Sequence, residues 1–381
     1  MYKVRIVTTI DKIEKIHWNA LVNENVFISY QWLKVLENSF LDQVTPLYFL
    51  IQEEDSLLGA AACFIYPPGT QSSSIDGWLL GRAKRQLNRM GISFLPALIC
   101  CPFNSYGSHF LMNQHMTNEK ERSTMKALIE AVEKEASVRK LAIVFPNVMD
   151  TEKELMKILF KNKYHRTVGV PLNYMDVNWT SLDEYLQRIG STSKKRLKKF
   201  RYEINKNRRE GVVIRQLSNI KGHEERLYQL VSGNHEKHNN SVFFFSRDIL
   251  LHIQEIFRDD AVFYVAFKNK QIVGVSLLLK RDTAAFGSYM GVDHEMAGND
   301  FTYFNLCFYR PISDAIYNNI KTIYYGNAMY EMKRKRGCKV RHTQIFYKPF
   351  GIFGSAKTKA LFSLHSKWMR HKLPEKDHQT L

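Results

Sequence analysis

Apolar positions recur at helical spacing between Trp18 and Ser39, first at Trp18, Leu21 and Val22, then at Phe27, Trp32, Leu33 and Leu36. A break at Asn23-Glu24-Asn25 divides the pattern, which predicts two short helices. The run Leu47-Tyr48-Phe49-Leu50-Ile51, a polar turn Glu53 to Ser56, and the run Leu57 to Phe64 then predict two buried strands in a hairpin. The same arrangement returns at Val262 to Phe267, turn Lys268 to Gln271, and Ile272 to Leu278. Each copy has a glycine early in its returning strand, Gly59 and Gly274, where a missing side chain permits a bulge or a close approach. An internal duplication explains both copies. Each hairpin is preceded by helical segments and followed by a helix and a further strand: Asn118 to Val138 with Leu141 to Phe145, and Thr302 to Asn318 with Thr322 to Gly326. A short helix over Thr151 to Lys161 follows in the first copy, and Pro311 kinks or divides the helix of the second.

This order predicts two α/β lobes, the first over residues 1–180 and the second over 181–350, with a basic tail over 351–381. The second lobe opens with a basic helix over 192–209, with Ser193 as N-cap, a thin apolar stripe of Leu197, Phe200 and Ile204, and Gly211 as its stop. So narrow a stripe places the helix on a surface, with Lys194, Lys195, Lys198, Lys199 and Arg208 available to phosphates.

The formal charge of +18 is unevenly placed: segments 191–215, 331–341 and 355–372 carry +8, +5 and +5 and leave the rest neutral. Such concentration points to a polyanion, whether RNA, a phosphate-bearing substrate or an anionic membrane surface, and equally suits solvated faces and a basic tail. Five cysteines without a C-x-x-C pair argue against a disulfide framework and a zinc site, so no metal is expected. No apolar run reaches the length of a spanning helix, and the N-terminus lacks the pattern of a signal peptide. The expected location is cytoplasmic.

The run Trp18-Asn19-Ala20-Leu21 followed by Val26 to Glu37 resembles the opening of the FemAB-like branch of the GNAT acyltransferase superfamily. Tyr303-Phe304-Asn305-Leu306-Cys307-Phe308-Tyr309, then Ala315-Ile316, Tyr324-Tyr325-Gly326 and Glu331-x-Lys333-x-x-Arg336-Gly337, resemble that branch's helix, strand and basic closing motif. The resemblance implies an α/β (α+β) fold of two GNAT-like lobes, each a mixed β-sheet flanked by helices. It also implies an N-acyltransferase that moves an acyl or aminoacyl group onto an amine-bearing small molecule or peptide, with acyl-CoA or aminoacyl-tRNA as donor substrate and no tightly bound cofactor. The segment Met290 to Asp300 departs from the Gly-rich pyrophosphate loop of ordinary GNAT enzymes, which weakens the case for CoA. A rival reading is a non-catalytic protein on the same fold that binds RNA or an anionic surface.

Acyl transfer to an amine needs an oriented donor, a free amine and hydrogen-bond donors for the oxyanion. Lys333 and Arg336 share a face if their segment is helical, with Glu331 placed to pair with them; they suit a phosphate or carboxylate, or else form an exposed basic turn. His235 and Glu236 belong to the densest titratable cluster and could relay a proton, or lie at an exposed helix end. Tyr303 and Tyr325 could donate to an oxyanion or stack on a nucleotide. Tyr303, Lys333, His235 and Glu236 are therefore the catalytic candidates, and Glu331, Arg336, Asn305 and Tyr325 the substrate-binding ones. Cys307, in an apolar run, reads as a buried thiol.

Overall fold

Two mixed sheets with the same internal order organise the chain. The computed structural model describes residues 2–40, 44–54, 56–70, 93–191, 193–239, 243–350, and 359, 361–363 and 365–367. Most of the basic tail over 351–381 lies outside the described residues.

The strands, in chain order, are β1 (Lys3–Val7), β2 (Thr45–Glu53), β3 (Ser56–Tyr66), β4 (Ala97–Ile99), β5 (Leu111–Met112), β6 (Ala142–Met149), β7 (His165–Val168), β8 (Leu172–Asp176), β9 (Val213–Leu217), β10 (Ala261–Lys268), β11 (Gln271–Arg281), β12 (Ala284–Val292), β13 (Thr322–Gly326), β14 (Lys339–Arg341) and β15 (Thr343–Lys348). One sheet runs β1-β2-β3-β4-β6-β15-β7, with β5 beside β3, and the other runs β14-β8-β13-β12-β11-β10-β9. Listed from β1 and from β9, the two paths match position by position. Each has a parallel pair between its fourth and fifth strands, β4 with β6 and β12 with β13.

The duplication extends to detail. In the first hairpin the register shifts between Ile51 and Gln52, with Ile51 opposite Gly59; in the second it shifts between Ala266 and Phe267, with Ala266 opposite Gly274. Both glycines also accept a helix at close range. A Cβ on Gly59 would lie 2.8 Å from Thr124 Cγ2, and one on Gly274 would lie 2.6 Å from Leu306 Cδ1. Thr124 belongs to the helix Asn118–Val138, which Thr117 caps and which buries Met125, Leu128, Ile129 and Val132 on the first core. Leu306 belongs to the corresponding crossover of the second core.

That second crossover is not one regular helix. Thr302–Phe304 is helical, Asn305–Tyr309 is a π-turn in which the Arg310 N–H reaches the Asn305 carbonyl, and Arg310–Tyr317 resumes the α form. Pro311 is the cause, since its ring cannot pass the carbonyl four residues back and its nitrogen donates nothing.

The units divide differently from the expected 1–180, 181–350 and 351–381. One contains Met1–Glu37, Asp42–Pro171 and Arg341–Leu381; the other contains Asn38–Leu41 and Leu172–Val340. Thus β8 joins the second sheet against β13, while β15 returns to the first between β6 and β7. Alternation marks a strand but does not tell which sheet takes it. Nor is the segment after 350 wholly a tail: Phe362 and His365 are buried in the first unit, with His365 Nδ1 2.9 Å from Thr167 Oγ1 on β7.

Candidate active site

In the second unit, β12 and β13 pair only from Ala284 to Phe286 against Thr322 to Tyr324. Beyond that, β12 continues to Val292, its register to β11 shifting between Leu277 and Leu278 so that Ser288 is extra. The two parallel strands form a fork. At the fork, the side-chain oxygens of Ser288, Tyr289 and Tyr325 are buried with no hydrogen-bond partner. Leaving a buried hydroxyl unmatched costs about 1–3 kcal/mol. They do not share one side: Tyr289, two residues before Gly291, meets Phe243 and Phe245 on one face of the sheet, whereas Tyr325 stacks on Phe308 on the other and marks the fork on the π-turn side.

Lys333 sits beside it. The short helix Tyr330–Lys335 follows β13, and Lys333 Nζ donates to the Tyr325 carbonyl at 2.5 Å while the side chain is 6 % exposed. Burial lowers its pKa from 10.5 to about 8. Burial raises the Cys307 thiol to about 12, while a hydrogen bond to Ser276 and the charge of Lys333 act the other way. Tyr325 stacks on Phe308 with ring centres 4.8 Å apart, and burial pushes its hydroxyl well above the usual range. The Tyr303 ring meets Phe304 at 5.2 Å and its hydroxyl reaches Met329 Sδ at 3.4 Å.

Lys333, Tyr303 and Tyr325 are therefore brought together. Arg336 is close in sequence but placed differently from the expected substrate contact. It is 4 % exposed, donates to Glu203 Oε2 at 2.7 Å, and lies over the Phe304 ring at 3.7 Å. Tyr309 also donates to Glu203, and the Arg336 carbonyl accepts from Tyr185 at 2.9 Å. Arg336 positions rather than binds: it ties the helix Lys194–Arg209, the π-turn and the segment after β13 into one body. Asn305 is likewise buried, donating to the Phe301 and Glu203 carbonyls at 3.0 and 3.3 Å. Glu331 pairs with Lys335 at 2.5 Å in solvent instead of orienting Lys333 and Arg336.

His235 and Glu236 do not join this group. Their helix, Glu224–Asn239, packs on the face of the sheet that carries Gly291, where an added Cβ would meet the Leu230 carbonyl at 2.0 Å. Gly274, against which the π-turn packs, alternates with Val275, the partner of Gly291, so the two elements cover opposite faces. Burial against Phe243 and Phe244 lowers the His235 pKa, and Glu236 is exposed. Helical spacing placed them correctly on a helix but could not say which face it covers.

Glu203 was missed, although one signal existed: it is the only acid between Lys194 and Arg209 and falls on the same face as Phe200 and Asn207. Asp300 was missed too. It is 1 % exposed, and its Oδ1 accepts from the Thr302 N–H at 2.9 Å and from the Thr302 hydroxyl at 2.7 Å, while Lys268 Nζ lies 3.2 Å from Oδ2. A carboxylate of the chain itself thus takes the Thr302 N–H at the start of the crossover helix. Among the described residues, no group of three or more His, Cys, Asp or Glu side chains could hold a metal ion.

The matched sheets, each with one parallel pair and a crossover helix, define a tandem GNAT-like α/β fold. Residues 9–349 match the model of the FemAB-like family, described as peptidoglycan biosynthesis/recognition, and the chain belongs to that family. Among solved structures it is similar to FemX, with 9 % identity, a TM-score of 0.56, and 90 % of this chain and 96 % of that one covered. It is also similar to a conserved protein of unknown function from Bacteroides thetaiotaomicron, with 10 % identity, a TM-score of 0.50, and 91 % and 99 % covered. A tandem GNAT protein from the clavulanic acid biosynthesis pathway aligns at 9 % identity and a TM-score of 0.47, over 92 % and 99 %. None of the curated protein sequences matches the chain. Among the described residues no helix is long and apolar enough to cross a membrane.

Proposed function

We propose that the chain transfers an aminoacyl group from aminoacyl-tRNA to the amine of a peptidoglycan precursor, at the β12–β13 fork. The observation that carries this reading is Lys333, a buried cation of lowered pKa whose Nζ donates to the Tyr325 carbonyl where β12 and β13 part. The family description, peptidoglycan biosynthesis/recognition, supports the acceptor class. Asp300 speaks against CoA as the donor, because its carboxylate accepts from the Thr302 N–H at the helix end where a CoA pyrophosphate would need backbone N–H groups and positive potential.

In the reaction the amine nitrogen attacks the ester carbonyl carbon, the new C–N bond forms, and the C–O bond to the ribose breaks. The amine's proton ends on the departing ribose oxygen. Lys333 suits two tasks: as an ammonium it stabilises the oxyanion, and its lowered pKa makes it a better acid toward the ribose oxygen than a solvated lysine. Tyr303 and Tyr325 are neutral donors of the same group, both hydroxyls held protonated by burial.

The test incubates the protein with tRNA charged with labelled amino acids and a precursor peptide bearing a free amine. Label should enter the peptide, and Lys333→Ala should lower kcat/KM by about 100-fold. Transfer from acetyl-CoA but not from charged tRNA would overturn the donor; transfer from neither would leave the non-catalytic binding protein.

A further inference from the structure

The helix Lys194–Arg209 has two unlike faces. Phe200, Glu203 and Asn207 are buried, and Leu197 and Ile204 pack on the second core. The outward arc carries Lys194, Lys195, Lys198, Lys199, Arg208 and Arg209, all exposed, and no acid. Among the described residues Arg201, on the same arc, meets Asp183 at 2.6 Å, whereas none of those six lies within ion-pair distance of a carboxylate.

Folding alone favours Arg208 and Arg209 in the last turn but not the four lysines near the start of the helix. The first turn has no acidic residue, so Lys194 and Lys195 face the positive end of the helix dipole, and Ser193 makes no side-chain cap. Lys194 with Lys198 and Lys195 with Lys199 repel at four-residue spacing. Each feature opposes the helix by tenths of a kcal/mol, up to about 1 kcal/mol for the dipole. A bound partner of opposite charge would offset all of them at once.

The shape narrows the partner. Lys194, Lys198, Arg201, Asn205 and Arg208 follow one another along one open side of the helix. At 1.5 Å per residue they span about 20 Å, several backbone phosphates in length. A helix that lies in a membrane surface needs a free apolar face, and here the apolar face is committed to the core. The one large exposed apolar residue on the helix is Tyr202, with Arg209 6.0 Å from its ring centre, an arrangement suited to stacking on a base.

We propose that this outward face docks the phosphodiester backbone of an RNA. That the RNA is the donor tRNA rests on the aminoacyl-transfer reading; the docking face itself does not. The inward face of the same helix carries Glu203, which holds Arg336, and Asn207, which donates to the Asp300 carbonyl at 3.0 Å. Docked RNA therefore rests on the helix that braces Lys333's surroundings.

The experiment measures binding of deacylated tRNA by fluorescence anisotropy between about 50 and 200 mM salt. One variant carries Lys194→Gln, Lys195→Gln, Lys198→Gln and Lys199→Gln, which leave the apolar stripe intact. A charge-matched control carries Lys126→Gln, Lys134→Gln, Lys140→Gln and Lys161→Gln, all exposed in the first unit. The helix variant should flatten the slope of log K against log salt by about 3, and the control by less than about 1. Equal slopes in the two variants would overturn the docking face, as would loss of binding to phosphatidylglycerol vesicles with tRNA binding unchanged. A slope difference in a protein that transfers nothing would retain the docking face and refute the aminoacyl-transfer reading.

Discussion

Replacing Lys333 by methionine should make the second unit more stable at neutral pH while abolishing transfer. Lys333 is 6 % exposed, and burial lowers its pKa from 10.5 to about 8. That interval corresponds to about 3 kcal/mol, by which the buried ammonium disfavours the folded state relative to an unburied one. The sign is fixed by which state holds the proton. Between pH 8 and 10.5 the unfolded chain retains a proton that the folded chain has released, so stability rises with pH across that window. Below about 8 the penalty is fully present.

Methionine keeps an unbranched apolar stem in the same space and removes the charge. It also leaves the Tyr325 carbonyl without the Lys333 donor, which costs about 1–2 kcal/mol. The net gain at pH 7 is then about 1–2 kcal/mol, vanishing or changing sign near pH 10.5. Urea unfolding followed by pulse proteolysis at pH 7 and at about pH 10 measures it, with charged-tRNA transfer assayed in parallel. A variant no more stable than its parent at pH 7, or a parent whose stability is flat from pH 8 to 10.5, would refute the reasoning. A stabilised variant that still transfers would separate Lys333 from the chemistry.

Arg336→Leu should unfold the second unit at lower temperature, because it strands Glu203 as a buried unpaired carboxylate; a loss of about 3–5 kcal/mol is expected, and the double variant Arg336→Leu with Glu203→Leu should recover part of it. A full-strength Tm in the single variant contradicts this. His109 is buried in the first unit with Glu152 at 3.0 Å, the Pro146 carbonyl at 2.5 Å and Cys101 beside it; burial works to lower its pKa, but Glu152 and Cys101 together raise it well above 6.5. Its stabilising contribution is therefore complete below pH 6.5 and lost as pH rises through the folded value, and His109→Gln should remove that slope from a pH series of urea midpoints. Gly291→Ala should force the helix Glu224–Asn239 off the sheet, since its Cβ would stand 2.0 Å from the Leu230 carbonyl, and increased amide exchange in that helix is the readout.

The hairpins were legible in the sequence because alternation, a polar turn and a glycine at a fixed place are all local signals. The basic helix was legible for the same reason. The exchange of β8 and β15 between units was not, since either strand could complete either sheet by pattern alone. The partner of Arg336 was hidden by distance: Glu203 lies 133 residues away, inside a run of cations that drew attention to the outer face. The fork's empty hydroxyls were beyond reach for another reason. Ser288 becomes extra only through a register shift, and no residue type announces where the ladder slips.

The two units also differ where their parallel strands part. Where β4 and β6 part company in the first unit, the chain laces the gap with its own bonds: Asn147 Nδ2 donates to the Ser105 carbonyl at 3.0 Å, the Gly107 N–H to the Asn147 carbonyl at 3.1 Å, and His109 bridges the Pro146 carbonyl and Glu152. Of these side chains only Asn147 Oδ1 stays unmatched. The corresponding gap in the second unit keeps the Ser288 and Tyr325 hydroxyls unmatched, with Lys333 donating to the Tyr325 carbonyl. Two copies of one topology thus differ at the fork, and the copy that carries the polar cost is the one whose neighbouring helix also carries a cationic face without carboxylate partners. A fold satisfied by stability alone would have closed both forks in the same way.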